Sequence, residues 1–372
     1  MSATVLVVNS GSSSIKYRLI EAGTGTSITS GLVERIGEDD PRVMHTGAGR
    51  TVERRVPVAD HRAGMRLVLA LFDEVGPRLR EAGIVAVGHR VVMGGTYFDG
   101  PTRIDDDVEA VIDRLAPLAP LHNPPNLAAI RIGRELLPDV PHVAVFDTAF
   151  FRDLPAAAAT YALDRAVAER YGVRRYGFHG TSHQYVSATV AEVLGRDLAE
   201  LRQIVLHLGN GASASAVVGG RAVETSMGLT PLEGLVMGTR TGDIDPAVAF
   251  HLARSAGLGI DELDHLFNHR SGLKGMTGEN DMREVHRLIA AGDPAARLAL
   301  DVYVHRLRKY IGAYTAVMGG LDVLTFTAGV GEHDAVVRRE TADGLAHLGI
   351  AVDAERNDGP GGAPRVISPA GA

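Results

Sequence analysis

The sequence predicts an α/β protein made of two domains that share one pattern. Residues 5–20, VLVVNSGSSSIKYRLI, place apolar and alternating stretches on the two sides of a glycine-rich turn, which is typical of two strands in a hairpin. Residues 204–240 begin in the same way, with an apolar run, the turn HLGNG and a second apolar run. Two such segments about two hundred residues apart indicate a duplicated domain with a nucleotide between the halves. A length of 372 residues fits two domains of ordinary size.

The composition excludes several classes of protein. A hydrophobic content of 45% and a charged content of 22% are typical of a globular chain. The formal net charge of −7 argues against a nucleic-acid surface, which needs a concentrated basic face. No apolar run approaches the roughly 18 residues that span a bilayer, and no signal peptide precedes the first strand, so we expect a cytoplasmic protein without a membrane partner. With no cysteine, there is no disulfide, thiolate metal site or cysteine nucleophile.

The first glycine-rich loop, residues 9–16, carries groups that suit a phosphate. It is not a Walker A loop, because it lacks the second glycine before Lys16 and the helix that should follow. A hairpin of this kind instead turns backbone N–H groups, hydroxyls and Lys16 towards one anion, although Lys16 could equally be a solvated strand residue. The amide oxygen of Asn9, at the end of the first strand, suits a hydrated magnesium ion.

The rest of the first half adds elements around this hairpin. Residues 23–59 predict further hairpins of the same sheet, and residues 61–82 have the spacing of a covering helix that breaks near Pro77. Residues 84–95 predict a buried strand that ends at Arg90 and a glycine turn. An arginine in that position suits a carboxylate or a phosphate, and the alternative is a surface ion pair.

Two further candidates lie before the end of the first half. Residues 115–126 are too rich in proline to form a regular element, so Pro125 is predicted to start the next helix, and His122 is a candidate ligand contact or a plain loop histidine. Residues 142–150 predict a strand with Asp147 at its carboxyl end. Ligands gather at that edge of open α/β sheets, which favours a functional carboxylate.

The second half begins with a histidine-containing loop. After a crossing segment at residues 153–159, His179 lies between two glycines, just before a helix predicted from Ser182. The spacing of His179 and His183 resembles that of a zinc helix, but the glutamate next to the first histidine is missing, which disfavours zinc. A histidine at a helix N-terminus instead suits an anion.

The turn HLGNG and the segments after it complete the pattern. The turn is either a phosphate loop or an ordinary Asn-Gly hairpin, and the polar loop after it carries a second candidate anion-binding arginine, Arg240. Helices are predicted near 246–256, 261–268 and 279–291, and a longer one from Pro294 has an apolar stripe that indicates a core or a dimer interface. A strand at 322–327, a glycine turn and a helix towards Leu345 form a third nucleotide-type element.

These motifs in this order resemble the acetate kinase family, within the superfamily of acetate and sugar kinases, heat-shock ATPases and actin. The resemblance runs from the first strand to about Ile350 and rests on VNSGSSSIKY, GHRVV, APLHNPPN, VFDTAF, YGFHGTSH, HLGNGAS, ETSMGLTPLEGL, MGTRTGDIDP and FTAGVGE. It implies a duplicated two-domain actin-like ATPase fold, with mixed sheets flanked by helices and a nucleotide cleft between the domains. The expected domains are 1–150 on the acceptor side and 151–372 for the nucleotide. The implied reaction is reversible phosphorylation of acetate by ATP.

The resemblance also assigns roles to residues. Arg90 and Arg240 would hold the carboxylate and the transferring phosphoryl group, and His179 would donate to that group. Asp147 would organise magnesium rather than act as a base, because acetate has no proton to lose. Asn9 would lie at the metal, magnesium or manganese. The expected substrate residues also include Val92, Leu121, His122, Phe178 and Pro231, and the expected nucleotide residues are Lys16, His207, Leu208, Gly209, Asn210, Gly211, Asp281, Met282, Arg283, Gly329, Val330, Gly331, Glu332 and His333.

Several alternatives stay open at this point. A related acid kinase for propionate or butyrate is one, because one methylene is worth only about 1–3 kcal/mol. A nucleotide-gated regulator of the same superfamily is another, whereas a dehydrogenase lacks its G-x-G-x-x-G after the first strand. The resemblance further implies a homodimer through the C-terminal domain. Met93 replaces the family's usual histidine. Related chains continue beyond Ala372 with a strand and a helix that carries a magnesium-binding glutamate, so we expect a truncated sequence or a metal site that lacks one carboxylate.

Overall fold

The computed structural model describes residues 3–11, 13–359 and 361–371, so Ser12 of the first loop and Ala372 lie outside the described residues. The chain divides between Arg152 and Asp153 into two compact units, which we call unit 1 and unit 2. None of the helices formed by the described residues combines the length and the apolar character that crossing a bilayer requires.

Unit 1 is built on one mixed sheet. Its elements are β1 (Thr4–Ser10), β2 (Ser14–Glu21), β3 (Ser27–Glu34), β4 (Arg42–Gly47), β5 (Arg50–Arg55), α1 (His61–Val75), β6 (Ile84–Val91), β7 (Thr102–Arg103), α2 (Asp106–Arg114), α3 (Asn123–Leu136) and β8 (His142–Phe146). The described strands form an eight-stranded sheet in the order β5-β4-β3-β2-β1-β6-β8-β7. β1 runs antiparallel to β2 and parallel to β6, and β6 runs parallel to β8.

The alternation seen in the sequence sets the core of unit 1. Ile15, Tyr17 and Leu19 of β2 are buried on one face, as the period of two predicts. α1 packs on this side of the sheet and buries Met65 and Phe72. Burial lowers the pKa of His89, on β6, to about 3, so that histidine is neutral in the core.

Unit 2 has a smaller sheet and more helices. Its elements are α4 (Ala156–Ala159), α5 (Arg165–Tyr171), α6 (Gly180–Leu194), β9 (Arg202–Leu208), β10 (Ala212–Val218), β11 (Arg221–Thr225), α7 (Ala247–Ala256), α8 (Ile260–His269), α9 (Gly272–Thr277), α10 (Met282–Ala290), α11 (Pro294–Met318), β12 (Val323–Thr327), α12 (Ala328–His333), α13 (Ala335–Asp343) and α14 (Ala354–Asp358). The described strands form a four-stranded sheet in the order β11-β10-β9-β12. β9 and β10 are almost wholly buried, because α6 and α11 both pack against this sheet. The stripe predicted on α11, Leu300, Val304, Leu307, Ile311 and Tyr314, is buried there.

The two units repeat one strand arrangement. In unit 1 the strands β3, β2, β1 and β6 are neighbours, with two antiparallel pairings followed by a parallel one. In unit 2 the strands β11, β10, β9 and β12 are neighbours with the same sequence of pairings. The glycine-rich turn in both cases joins the second and third strands of this order. The duplication predicted from the two hairpins is therefore present in the sheet topology.

Several element boundaries differ from those predicted. α3 begins at Asn123 rather than at Pro125, because the prolines at the second and third helical positions need no N–H partner there. α6 begins at Gly180 rather than at Ser182. The glycine turn after the last strand is itself a short helix, α12, and α9 has no predicted counterpart. Glycine lowers intrinsic helix propensity, so neither of these two short helices is visible in the pattern alone.

Candidate active site

The candidate site of unit 1 lies at the carboxyl ends of two neighbouring parallel strands. β6 and β8 pair with Arg90 opposite Val145 and Val91 opposite Phe146. The next residue, Asp147, donates its backbone N–H to the carbonyl of Val91 at 2.9 Å. This register brings Asp147 beside Arg90, at the edge of the sheet where α/β proteins place ligand-binding side chains.

Arg90 and Asp147 form a bidentate ion pair. Nε of Arg90 donates to Oδ1 of Asp147 at 2.9 Å, and Nη2 donates to Oδ2 at 2.6 Å. The carboxylate side chain is 2% exposed and the guanidinium side chain is 37% exposed, so a cation covers a buried anion. The negative charge of Asp147 raises the pKa of Arg90. Nη1 donates to Oδ1 of Asn9 at 3.4 Å, so three of the predicted residues meet here.

The remaining predicted residues of unit 1 differ in position and exposure. Lys16 is exposed on β2, directly opposite Asn9 in the hairpin register. Val92 follows β6 and is 5% exposed. Leu121 is 39% exposed, and His122 is half-buried just before α3. Lys16 and Val92 therefore belong to the strand ends, whereas Leu121 and His122 belong to the loop before α3.

Three histidines of unit 2 gather around the start of α6. His179 immediately precedes the helix with a left-handed φ of 60°, and His183 lies one turn further on. Nδ1 of His179 and Nε2 of His183 lie 2.9 and 2.8 Å from Oγ of Ser213. The ring of His207 is centred 4.3 Å from that of His179, and its Nδ1 is 2.8 Å from Oγ of Ser182. The His-x-x-x-His spacing thus places two rings on one serine of β10.

The side chains of His179 and Arg240 converge on Gly211. A Cβ atom built at Gly211 would lie 3.6 Å from Nε2 of His179 and 3.7 Å from Nη1 of Arg240. The same Nη1 donates to the carbonyl of Pro231 at 3.1 Å, and Phe178, next to His179, is 1% exposed. Two nitrogen-bearing groups therefore approach one glycine of the predicted phosphate loop, and the absence of a side chain at Gly211 permits that approach.

The loop that carries Arg240 is fixed by the start of α9. Three backbone N–H groups there donate to three carbonyls of the loop at 2.9 to 3.0 Å, namely Ser271 to Thr239, Leu273 to Met237 and Lys274 to Gly238. Gly272 permits this approach, because it has a φ of 61° and a Cβ there would lie 2.2 Å from the carbonyl oxygen of Met237. The position of the guanidinium thus depends on a short helix that the sequence pattern does not reveal.

Two of the three predicted nucleotide segments are neighbours along the sheet of unit 2. Residues 207–211 close β9 and form the turn into β10, and residues 329–333 lie in α12, directly after β12. β12 and β9 are parallel, so both segments leave the same edge of the sheet. A Cβ built at Gly209 would lie 3.9 Å from Cβ of Ala328, which places the two segments in contact distance.

The third nucleotide segment reaches the same turn at the start of α10. Asn280, just before it, donates from Nδ2 to Oδ1 of Asn210 at 3.4 Å. Asp281 caps α10, and Nη2 of Arg283 lies 2.5 Å from Oδ2 of Asp281. Met282 is 4% exposed and is buried at the first position of α10. The structure therefore brings parts of all three segments together around the turn between β9 and β10.

Within these segments the individual residues differ in exposure. Leu208 is 0% exposed and Gly331 is buried. Gly329 and His333 are exposed and Val330 is half-buried. Oε1 of Glu332 accepts hydrogen bonds from Oγ1 of Thr327 and from the backbone N–H of Ala328, both at 3.1 Å.

The comparison with family models matches nearly the whole chain. A model described as the acetokinase family covers residues 4–371. The chain belongs to the acetokinase family. An acetate kinase of Leifsonia xyli subsp. xyli is 61% identical over 366 residues, which are 98% of this chain and 92% of the relative.

Solved structures of acetokinase-family proteins are also similar. The crystal structure of the Porphyromonas gingivalis acetate kinase has a TM-score of 0.93 and 42% identity, over 99% of this chain and 94% of the other. That of a propionate kinase from Francisella tularensis subsp. tularensis has a TM-score of 0.92 and 40% identity, over 96% and 91%. These likenesses confirm the predicted fold class, a mixed α/β fold of the actin-like ATPase type.

Two buried asparagines of this acetokinase-family chain have no counterpart among the predicted residues. Asn126 accepts the backbone N–H of Val92 at 3.1 Å and donates from Nδ2 to the carbonyl of Ser10 at 2.6 Å. Asn123 accepts the N–H of Met93 at 3.0 Å and donates back to the carbonyl of the same residue at 3.0 Å. They tie the end of β1 and the loop after β6 to α3. The repeated asparagine in the motif NPPN is the only sequence signal of this role.

A buried arginine of this acetokinase-family chain supports α12, the predicted nucleotide segment that follows β12. Arg338 is 4% exposed, and its Nη1 donates to the carbonyls of Gly331 and Glu332 at 3.0 and 2.8 Å. Its Nε and Nη2 donate to the side chain and the carbonyl of Asn357 at 2.7 and 2.6 Å. Burial lowers the pKa of Arg338. Because an arginine in a helix is usually solvent-exposed, the sequence does not indicate that Arg338 is buried against the carbonyls of α12.

Proposed function

We propose that this acetokinase-family protein is an acetate kinase, which transfers the γ-phosphoryl group of ATP to acetate and catalyses the reverse reaction. The observation that carries the proposal is the convergence of His179 Nε2 and Arg240 Nη1 on Gly211. The similarity to the Leifsonia xyli acetate kinase, over 98% of this chain and 92% of that relative, supports the choice of reaction. In the proposed step, a carboxylate oxygen of acetate bonds to the γ-phosphorus as the bond from that phosphorus to the β,γ-bridging oxygen breaks, which gives acetyl phosphate and ADP.

The residues supply charge and orientation rather than covalent chemistry. Phosphoryl transfer spreads negative charge over three equatorial oxygens, and fixed cations and N–H groups lower that barrier most. Arg240 and His179 take this role in unit 2, and Arg90 holds the acetate carboxylate in unit 1. No general base is required, because acetate is already ionised at neutral pH.

Asp147 and Asn9 suit a magnesium or manganese ion that arrives with ATP. Both offer oxygen ligands, and both are hydrogen-bonded to the guanidinium of Arg90. Magnesium is usually held by one or two carboxylates together with substrate phosphates and waters, so a set of one carboxylate and one amide fits. A bound ion would neutralise charge on the β- and γ-phosphates.

ATP and ADP are proposed to bind at the turn between β9 and β10, with the starts of α10 and α12 around them. Backbone N–H groups of a glycine-rich turn hold phosphates without a dedicated cation. Lys16, on the hairpin of unit 1, is proposed to add one cation to the phosphates. Because ATP is the donor, the reaction belongs in the cytoplasm.

The choice between short acids is narrow. The Francisella tularensis protein is named a propionate kinase. Apolar contacts to the methyl group of the acid, for which Val92 and Leu121 of unit 1 and Phe178 and Pro231 of unit 2 are each candidates, would discriminate against one more methylene by only about 1–3 kcal/mol. We also propose a homodimer through unit 2, where Tyr185 of α6 and Phe250 of α7 are 70% and 59% exposed.

A nucleotide-gated regulator without phosphoryl transfer is the second candidate function, but a regulator of that kind would not need Arg90, His179 and Arg240.

A trapping assay tests the function. Protein incubated with ATP, magnesium, acetate and hydroxylamine should yield acetyl hydroxamate, and chelation of magnesium should stop the reaction. Propionate and butyrate in place of acetate measure the acid preference. Binding of ATP without acyl phosphate from any of the three acids would reject the kinase and favour the regulator.

Substitution of Gly211 by alanine tests the convergence that carries the proposal. The new methyl would lie 3.5 to 3.7 Å from atoms of His179 and Arg240, which is ordinary van der Waals contact, so the fold should be retained. It would occupy space beside both groups, so we expect kcat to fall about 100-fold with an unchanged melting temperature. Gly312→Ala, where a Cβ meets nothing within 4 Å, is the matched control. Equal kcat for both variants would contradict the assignment.

A further inference from the structure

We propose that Ser215, His183 and Ser213 are positioning residues that hold His179 as the neutral tautomer with its proton on Nε2. The proposal rests on the proposed function, in which Nε2 faces the transferring phosphoryl group. It assigns a role to a buried histidine and two buried serines that do not reach the reacting atoms.

The three residues connect β10 to His179 by a continuous chain of hydrogen bonds. Oγ of Ser215 lies 2.7 Å from Nδ1 of His183, Nε2 of His183 lies 2.8 Å from Oγ of Ser213, and that Oγ lies 2.9 Å from Nδ1 of His179. The serines are two residues apart on β10 and so share one face, and the histidines are one helical turn apart. Ser213, Ser215 and His183 are each 0% exposed.

The ring of His183 is neutral. Burial, with a smaller contribution from His207, lowers its pKa well below the ordinary value, and both of its ring nitrogens face hydroxyl groups. A neutral imidazole has one donor and one acceptor nitrogen, and a hydroxyl donates a single hydrogen. Among the described residues, His179 and His183 are the only hydrogen-bond partners of the Ser213 hydroxyl, so its hydrogen goes to one of them. All three bonds therefore point in the same direction along the chain.

Ser215 decides which direction that is. Within the part of the chain that the structure describes, the one hydrogen-bond partner of its hydroxyl is Nδ1 of His183. If His183 donated to Ser215, the serine hydrogen would be buried without an acceptor, and an unsatisfied buried donor is costly. Ser215 therefore donates to Nδ1 of His183, Nε2 of His183 donates to Ser213, and Ser213 donates to Nδ1 of His179.

The last hydrogen bond of this series, from Ser213 to His179, determines which ring nitrogen of His179 carries the proton. Because Nδ1 accepts from Ser213, the ring proton lies on Nε2, the atom that approaches Gly211 together with Arg240. His179 thus presents a neutral N–H donor to an equatorial phosphoryl oxygen. Protonation of His179 to imidazolium would require all three hydrogen bonds to reverse their donor and acceptor directions.

Nitrogen NMR of the unmodified protein tests the tautomer without any turnover. In protein labelled with ¹⁵N-histidine, the His179 signals, assigned by their loss in His179→Gln, should show a protonated, pyrrole-type Nε2 and a pyridine-type Nδ1 at pH 7, with and without magnesium and ADP. The opposite tautomer, or an imidazolium, would overturn the proposal. Absence of acyl phosphate formation by the same protein would instead reject the proposed function, so the two failures are distinguishable.

Substitutions in the chain test its effect on the reaction. Ser213→Ala should lower kcat about 10- to 100-fold, with KM for ATP changed less than about threefold, and should shift the His179 nitrogen signals. Ser213→Thr, which keeps the hydroxyl, should recover the wild-type signals. Ser187→Ala is the matched control, because Ser187 is a 1% exposed serine of α6 whose hydroxyl donates to the carbonyl of Gln184. Equal losses in Ser213→Ala and Ser187→Ala, with unshifted His179 signals, would reject a positioning role.

Discussion

Substitution of Arg240 by alanine is expected to lower kcat by about 10³-fold while the affinity for ATP stays within about threefold. The guanidinium and His179 approach Gly211, whereas the predicted nucleotide segments at residues 281–283 and 329–333 begin beside Asn210 and Gly209 of the same turn. Its removal takes away charge stabilisation that matters most in the transition state. The measurements are kcat by hydroxamate trapping and the dissociation constant of ATP by calorimetry.

A second arginine separates a local effect from a general one. Arg270, at the end of α8, is exposed, and Arg270→Ala should leave both kcat and ATP affinity unchanged. Arg240→Lys should recover only part of the loss, because an ammonium does not reproduce the planar guanidinium. Equal losses of turnover and of ATP affinity in Arg240→Ala would remove Arg240 from the catalytic set.

Substitution of Arg90 by alanine is expected to abolish measurable turnover and to destabilise the protein by about 3 kcal/mol. The side chain of Asp147 is 2% exposed, so the variant leaves a buried carboxylate without its bidentate partner. Loss of one partner of a buried pair usually costs about 3–5 kcal/mol, and the lower end applies here because Arg90 itself is 37% exposed. Urea unfolding at pH 7 gives the change in free energy of unfolding, and trapping gives kcat.

A double variant separates the loss of stability from the loss of activity. In Arg90→Ala with Asp147→Asn, the buried group is neutral, so most of the stability should return while turnover stays absent. Asp147→Asn alone should lower activity with a smaller effect on stability. An Arg90→Ala variant as stable as the wild type would contradict the interpretation of Arg90 and Asp147 as a structurally coupled pair.

Elements whose apolar residues recur with a regular period were predictable from the sequence. Alternation over β2 and the glycine turns in both halves of the chain identified the hairpins, and strand ends identified Arg90 and Asp147 as separate candidates; that the two form an ion pair is known only from the structure. These are local patterns; the order of the strands in the two sheets, with the parallel pairings of β1 with β6 and of β9 with β12, depends on distant contacts and was not predicted.

The parts that depend on distant contacts were not predictable. α9 is short and glycine-rich, and its start is held by the carbonyls of residues 237–239 rather than by its own propensity. Asn123 and Arg338 look like surface residues until the carbonyls that they contact are known. The spacing of His179 and His183 resembles that of a zinc helix, an interpretation that the missing glutamate already disfavoured, but the sequence did not reveal their shared partner Ser213, which comes from β10, some thirty positions further along the chain.

The left-handed backbone of His179 has a consequence for protein engineering. A φ of 60° is uncommon for any residue other than glycine, which adopts it with less strain than histidine does. Any computational redesign that ranks substitutions by thermal robustness alone would therefore favour replacement of this imidazole. If His179 has the role proposed above, such a redesign would yield a more stable protein without activity, so position 179 should be held constant whenever the chain is optimised for heat tolerance.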